Sequence, residues 1–218
     1  MIWIVDDFYP NPDEIRKKAL RLKFIRGIST KDKGTPRAFH PGHRAIPNKQ
    51  WWWENRIYLR NRWKDIANIS VHEFESVKSN CSFNLGFEDK PNRLNWLHSD
   101  DGFEPNAQTH MYACVIYLTP NPPPNTGTLL LEGKDGSIYD MDRTIGRGYD
   151  KIFKGNYYDC KVSEFYKVHT RVENRYNRLI MYDARLLHAP TDGGFGKTKE
   201  TARLTQLGFW YGENRLQI

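Results

Sequence analysis

From about residue 79 onward the pattern of this chain changes from helical to alternating, and no other feature of the sequence limits its possible folds so tightly. Cys81, Phe83, Leu85 and Phe87 alternate with polar or small residues. Successive side chains of an extended backbone point to opposite faces, so this is the pattern of a strand with one face buried. The same period, punctuated by Gly, Pro and Asn, predicts further strands over 93–98, 110–118, 126–131, 165–172, 178–183, 186–189 and 201–211. With eight strands in succession, the second part of the chain is predominantly β.

The first part reads differently. Ile2 to Val5 predicts a short strand. Asn11-Pro12-Asp13-Glu14 then reads as a helix start, with Asn at the N-cap, Pro in the first turn and carboxylates at the positive end of the dipole. Ile15, Ala19 and Leu22 share a face of that helix, which is expected to end near Phe24. Gly27, Gly34, Pro36, Pro41, Gly42 and Pro47 make 27–48 a loop, and a second helix is expected over about 49–67. Trp51, Trp52 and Trp53 point about 100° apart on a helix, so they cannot share one face. At least one is expected to pack on the core and another to border a pocket.

No linker or composition break divides the chain, so a single domain over 1–218 is expected: support in 1–78 and a β core in 79–211 with an irregular insert at 136–160. The apolar opening stops at Asp6 and Asp7, too short for a signal peptide or a membrane span. Cys81, Cys114 and Cys160 offer neither a disulfide framework nor a C-x-x-C zinc site, which fits a reducing, cytoplasmic setting. The formal charge of +7 could favour nucleic acid, but the excess is spread out and no nucleic-acid-binding motif accompanies it.

Chemistry concentrates in three places. In Trp96-Leu97-His98-Ser99-Asp100, His98 and Asp100 project to the same side of an extended backbone and can grip one ion. A second histidine, His188 in Leu186-Leu187-His188-Ala189-Pro190, would complete a two-His, one-carboxylate facial triad, as in non-haem Fe(II) oxygenases. In 201–210, alternation puts Arg203, Thr205, Leu207 and Phe209 on one face, carrying a guanidinium and a hydroxyl into an apolar interior. A buried arginine needs an anionic partner, and a bidentate ligand carboxylate would serve, with Thr205 as a second donor. Arg203 could instead pair with Asp183. His169 is the best spare histidine, and Asp101 turns away from His98 by alternation.

In order along the chain, His98-Ser99-Asp100, Cys114 to Thr119, Thr126-Gly127-Thr128-Leu129-Leu130, Arg178 to Asp183, His188 and Arg203 resemble the Fe(II)/2-oxoglutarate-dependent oxygenases, on the prolyl-hydroxylase-like side. The resemblance spans roughly residues 79–210. It implies a double-stranded β-helix (jelly-roll) core buttressed by N-terminal helices, and Fe(II) held by His98, Asp100 and His188. It further implies that Arg203 binds the distal carboxylate of 2-oxoglutarate, assisted by Tyr117. With O2, such an enzyme hydroxylates a C–H bond and releases succinate and CO2. Collagen-type prolyl hydroxylases usually have Lys where Arg203 stands, and Thr205 sits where some arginine-using relatives have a small apolar residue and other branches have Ser, which weakens transfer of the prolyl substrate. The substrate stays open between a peptidyl residue such as proline and a small molecule, with a nucleobase less supported. The competing class is an inactive oxygenase-like or cupin-like binding module. Cupin sites use an H-x-H pair that this chain lacks.

Overall fold

A computed structural model of the chain describes residues 2–26, 42–67, 71–73, 81–88, 100, 109–133, 166–191 and 194–213. The elements are β1 (Ile2–Val5), α1 (Pro12–Leu20), β2 (Ile25–Arg26), β3 (His43–Ala45), α2 (Lys49–Ala67), β4 (Val71–Glu73), β5 (Phe83–Gly86), β6 (Thr109–Tyr117), β7 (Thr128–Gly133), β8 (Tyr166–Val172), β9 (Leu179–Asp183), β10 (Leu187–Pro190) and β11 (Arg203–Glu213). Among the described residues the architecture is mainly β with two helices, and every strand pairing described is antiparallel.

The strands form two sheets. The larger runs β1-β9-β6-β11-β5-β3-β2, with β4 also pairing β11, and the smaller runs β10-β7-β8. Alternation then sorts the side chains of the large sheet. On its outer face Phe83, Leu85, Cys114, Ile116, Leu204 and Trp210 pack with Phe8, Ala19, Leu59 and Trp63 from the N-terminal segment and the helices. On its inner face Ala113, Tyr117, Ile180 and Tyr182 meet Leu130 and Val172 of the small sheet. A strand covered on both faces has no solvent side to mark with polar residues. Accordingly, all five residues of β9 are buried.

Both helices are amphipathic supports. Trp51 stacks on Phe83 with ring centroids 5.1 Å apart, while Trp53 stays 43% exposed. The Arg56 guanidinium lies 4.0 Å from the Trp52 ring centroid and 4.8 Å from that of Trp53, so the tryptophan run divides between core packing and a cation–π contact. The N-terminal segment is tied down by Asn177, which adopts a left-handed backbone (φ 62°). Its side-chain amide accepts from the Tyr9 N–H at 2.9 Å and donates to the Tyr9 carbonyl at 2.9 Å.

The described elements depart from the expected ones in local detail. Helix α1 ends at Leu20, short of Phe24, where the Arg21 N–H reaches the Lys18 carbonyl; Leu22 and Phe24 reach the core from non-helical backbone. Asn11 occupies the N-cap position but makes no side-chain capping bond. The segment read as loop contains β3, which pairs β5, and β2 precedes it at Ile25–Arg26. Strand β4 was not anticipated. Strands of two or three residues are too short to display a period, and pairing partners supply what the local sequence does not. The predicted strand at 93–98 and the insert at 136–160 lie outside the described residues.

Candidate functional site

Strand β10 carries His188 opposite Leu130 of β7, which turns the imidazole toward the inner face, where it is 6% exposed. Its Nδ1 lies 2.9 Å from the Leu186 carbonyl oxygen. A carbonyl only accepts, so Nδ1 carries the proton and Nε2 is the nitrogen presented to the interior. That Nε2 stands 3.3 Å from Oδ2 of Asp100. The backbone N–H of Asp100 donates to the Ala184 carbonyl at 2.9 Å, which docks it beside the turn between β9 and β10. The Tyr182 ring packs against His188 at 4.9 Å between centroids. Two residues far apart in sequence, Asp100 and His188, are thus brought together. His98 lies outside the described residues, and among the described residues no group of three His, Cys, Asp or Glu side chains could hold a metal ion.

Strand β11 supplies the second cluster. Phe209 packs into the inner core while Leu204 and Trp210 belong to the outer one, so the face carrying Arg203 and Thr205 is the inner face. Thr205 is 1% exposed and lies directly opposite Tyr117 of β6. The Tyr117 hydroxyl is 2.6 Å from Thr128 Oγ1. Burial pushes the Tyr117 phenol above its ordinary pKa, against the opposing pull of Arg203 and of its bond to Thr128. Arg203 Nε donates to the Thr126 carbonyl at 3.2 Å and its Nη2 to the Gly127 carbonyl at 3.4 Å, with the guanidinium carbon 5.5 Å from the Tyr117 ring centroid. Burial pulls the guanidinium below its ordinary value, against the opposing pull of Tyr117 and Tyr182.

Asp183, the alternative partner for Arg203, is paired with Arg185: Oδ1 accepts from Arg185 Nε at 2.9 Å and Oδ2 from Nη2 at 2.7 Å. His169 Nδ1 is 2.7 Å from Glu132 on an exposed part of the small sheet, away from the inner face. Cys81 and Cys114 are both buried. No helix among the described residues is long and apolar enough to cross a membrane.

Sequence reasoning missed Arg44, Asn84 and Tyr182. Arg44 of β3 is 8% exposed and its Nε donates to Asn84 Oδ1 at 3.1 Å. Register carries the row onward: Arg44 lies opposite Asn84, Asn84 opposite Thr205, and Thr205 opposite Tyr117. Directly opposed residues share a face, so all four belong to the inner one. For Tyr182 the signal was present, since it alternates with Ile180 in step with inner-face positions. For Arg44 there was none.

The arrangement is similar to known folds. A crystal structure of HygX from Streptomyces hygroscopicus with nickel, 2-oxoglutarate and hygromycin B bound matches at a TM-score of 0.53 with 14% identity, over 98% of this chain and 83% of HygX. AviO1 from Streptomyces viridochromogenes Tue57 matches at 0.50 with 13% identity, over 98% of this chain and 90% of AviO1. The likeness establishes a common fold. In sequence, the chain belongs to DUF6445, a family of unknown function whose profile matches residues 1–210. No curated protein matches it.

Proposed function

We propose that this chain is a single-domain Fe(II)- and 2-oxoglutarate-dependent dioxygenase built on a double-stranded β-helix, which hydroxylates a C–H bond of its substrate. The observation that carries this reading is the approach of His188 Nε2 to Asp100 Oδ2 at 3.3 Å, with Nδ1 already committed to a carbonyl. Two donors each about 2.1 Å from a first-row metal ion, at right angles, stand about 3 Å apart, so the pair fits adjacent positions of an octahedral ion. The Leu186 carbonyl fixes the tautomer, as such outer partners of metal-binding histidines do. His98 is the third ligand of this reading. HygX, which shares the fold, has been crystallised with iron and with nickel and 2-oxoglutarate.

Fe(II), which His98, Asp100 and His188 would hold in this reading, would supply the oxidative chemistry that couples decarboxylation of 2-oxoglutarate by O2 to hydroxylation of a substrate C–H bond. The chain's own residues bind, orient and exclude water. Arg203, aimed by the Thr126 and Gly127 carbonyls, pairs with the distal carboxylate of 2-oxoglutarate; Tyr117 and Thr205 border that carboxylate with hydroxyl groups. The apolar inner face of Ile180, Tyr182 and Leu130 keeps the site dry, which strengthens each of these interactions.

The test is anaerobic titration of the apo-protein with Fe(II) and then 2-oxoglutarate, following visible charge-transfer absorption. The band is expected in wild type, lost in His98→Ala and His188→Ala, and shifted to much higher 2-oxoglutarate concentration in Arg203→Ala. A wild-type protein that gives no band and no metal-dependent binding of 2-oxoglutarate overturns the proposal.

A further inference from the structure

The net charge of +7, which reads as spread out along the chain, is gathered by folding, because two basic segments far apart in sequence meet. Helix α1 and the residues after it carry Arg16, Lys17, Lys18, Arg21 and Lys23, and the loop between β10 and β11 carries Lys197 and Lys199. Arg16 Nη2 donates to the Glu200 carbonyl at 2.6 Å, and Lys199 Nζ donates to the Leu22 carbonyl at 3.4 Å. The same Nζ lies 5.5 Å from the Phe24 ring centroid. These contacts set seven cations side by side, with Glu200 the one acid within 16–24 and 195–201. Of the chain's 33 cations and 26 acids, the remainder holds 26 against 25, close to balance.

The patch is exposed and firmly mounted. Lys17, Lys18, Arg21, Lys23, Lys197 and Lys199 are all exposed. Glu14, one turn before Lys18, and Glu88, whose N–H donates to the Gly196 carbonyl at 2.9 Å, border the patch. No salt bridge among the described residues ties up any of the seven cations. The loop is held by the Phe195 N–H on the Gly86 carbonyl at 3.3 Å and the Ala202 N–H on the Thr198 carbonyl at 2.8 Å. Lys17 and Lys18 suit the negative end of the helix dipole. Lys23, Lys197 and Lys199 lie off the helix, so helix stabilisation does not account for them. Like charges held together repel, and a polyanion relieves that repulsion.

What the patch lacks selects the polyanion. Ile15, Leu22 and Phe24 pack against the core, which leaves α1 no free apolar face to sink into a lipid surface. Among the exposed large apolar side chains, Ile25 is the one next to the patch in the chain, and a single isoleucine is no anchoring cluster for a protein partner. Phe24 is committed to the core and to Lys199, so the bases of a single strand find no open ring to stack on. Cations alone suit a partner whose surface is itself a regular array of charge. We propose that Lys17, Lys18, Arg21, Lys23, Lys197 and Lys199 form a surface that binds the phosphate backbone of duplex nucleic acid without reading its sequence. This does not rest on the oxygenase reading, and the residues assigned to metal and 2-oxoglutarate take no part in it.

The experiment is fluorescence anisotropy on the full chain with a short labelled DNA duplex of mixed sequence, repeated across a salt series. Six phosphate contacts give a slope of about −5 in log K against log salt, so affinity is expected to fall about 10³-fold between about 50 and 200 mM salt. Lys17→Gln/Lys18→Gln/Arg21→Gln is expected to flatten the slope by about 3 and Lys197→Gln/Lys199→Gln by about 2. Arg60→Gln/Lys64→Gln, on the exposed face of α2, is expected to leave it unchanged. All the substitutions are of exposed side chains, and thermal melts of each variant confirm that it is folded. Absence of duplex binding at low salt, a slope that neither patch variant changes, or an equal loss in the α2 variant overturns the proposal. So does tighter binding to a single strand of the same length, or to phosphatidylserine vesicles, than to the duplex. Each of these outcomes is read without Fe(II) or 2-oxoglutarate, so none depends on whether the chain is an oxygenase.

Discussion

Gly127 is where the small sheet touches the proposed cosubstrate clamp, and Gly127→Ala tests that connection. A methyl group built at Gly127 would collide with the Val172 carbonyl oxygen and sit 2.8 Å from both the Val172 carbonyl carbon and the Asn174 nitrogen. Contacts of 3.4 Å or more are ordinary for such a carbon, so these two atoms alone demand a shift of at least 0.6 Å (3.4 − 2.8), and the oxygen demands more. All three obstacles are backbone, so no side-chain rotation relieves them. The start of β7 must move away from the end of β8, at a cost of about 3 kcal/mol, the upper end for overpacking. The Thr126 and Gly127 carbonyls move with it. Arg203 holds them at 3.2 and 3.4 Å, already long, so a displacement of this size away from the guanidinium takes both bonds out of hydrogen-bonding range. If the misplaced guanidinium then forfeits about 3 kcal/mol of its interaction with a carboxylate, 2-oxoglutarate affinity falls on the order of 100-fold. Urea denaturation measures the first effect. Calorimetric titration of the Mn(II)-loaded protein with 2-oxoglutarate measures the second. A Gly127→Ala protein with wild-type 2-oxoglutarate affinity, whatever its stability, refutes the claim that these carbonyls aim Arg203.

Three further outcomes are expected. Thr128→Val leaves the buried Tyr117 hydroxyl without its 2.6 Å partner and is expected to lower unfolding stability by about 1–3 kcal/mol, with Thr128→Ser close to wild type in the same urea titration. Hydrogen bonds from Arg178 hold the Asp6 carboxyl below its ordinary pKa, so its stabilisation is complete above the unfolded-state value and is lost as pH falls through the folded-state one. Asp6 is a third exposed, so the effect is about 0.2–1 kcal/mol, and Asp6→Asn should flatten the acid limb of a stability-against-pH curve by that much. Burial pushes the Cys114 thiol up to about 12; iodoacetamide at pH 8 should therefore leave it unmodified in the folded chain and label it in urea, as peptide mass spectrometry would show.

How much of this site was legible in the sequence depends on how each residue is held. Arg203 and Thr205 sit on an eleven-residue strand, long enough for alternation to place them together with Leu207 and Phe209 on one face. His188 and Asp100 were readable as a pair of ligand types, although only tertiary packing, through the Asp100 N–H on the Ala184 carbonyl, brings them to 3.3 Å. Arg44 illustrates the opposite case. Strand β3 has three residues in a segment dense with Gly and Pro, and its conformation is imposed by β5, roughly forty positions later in the chain. No local propensity or period can announce such a residue, because the information resides in the register between strands.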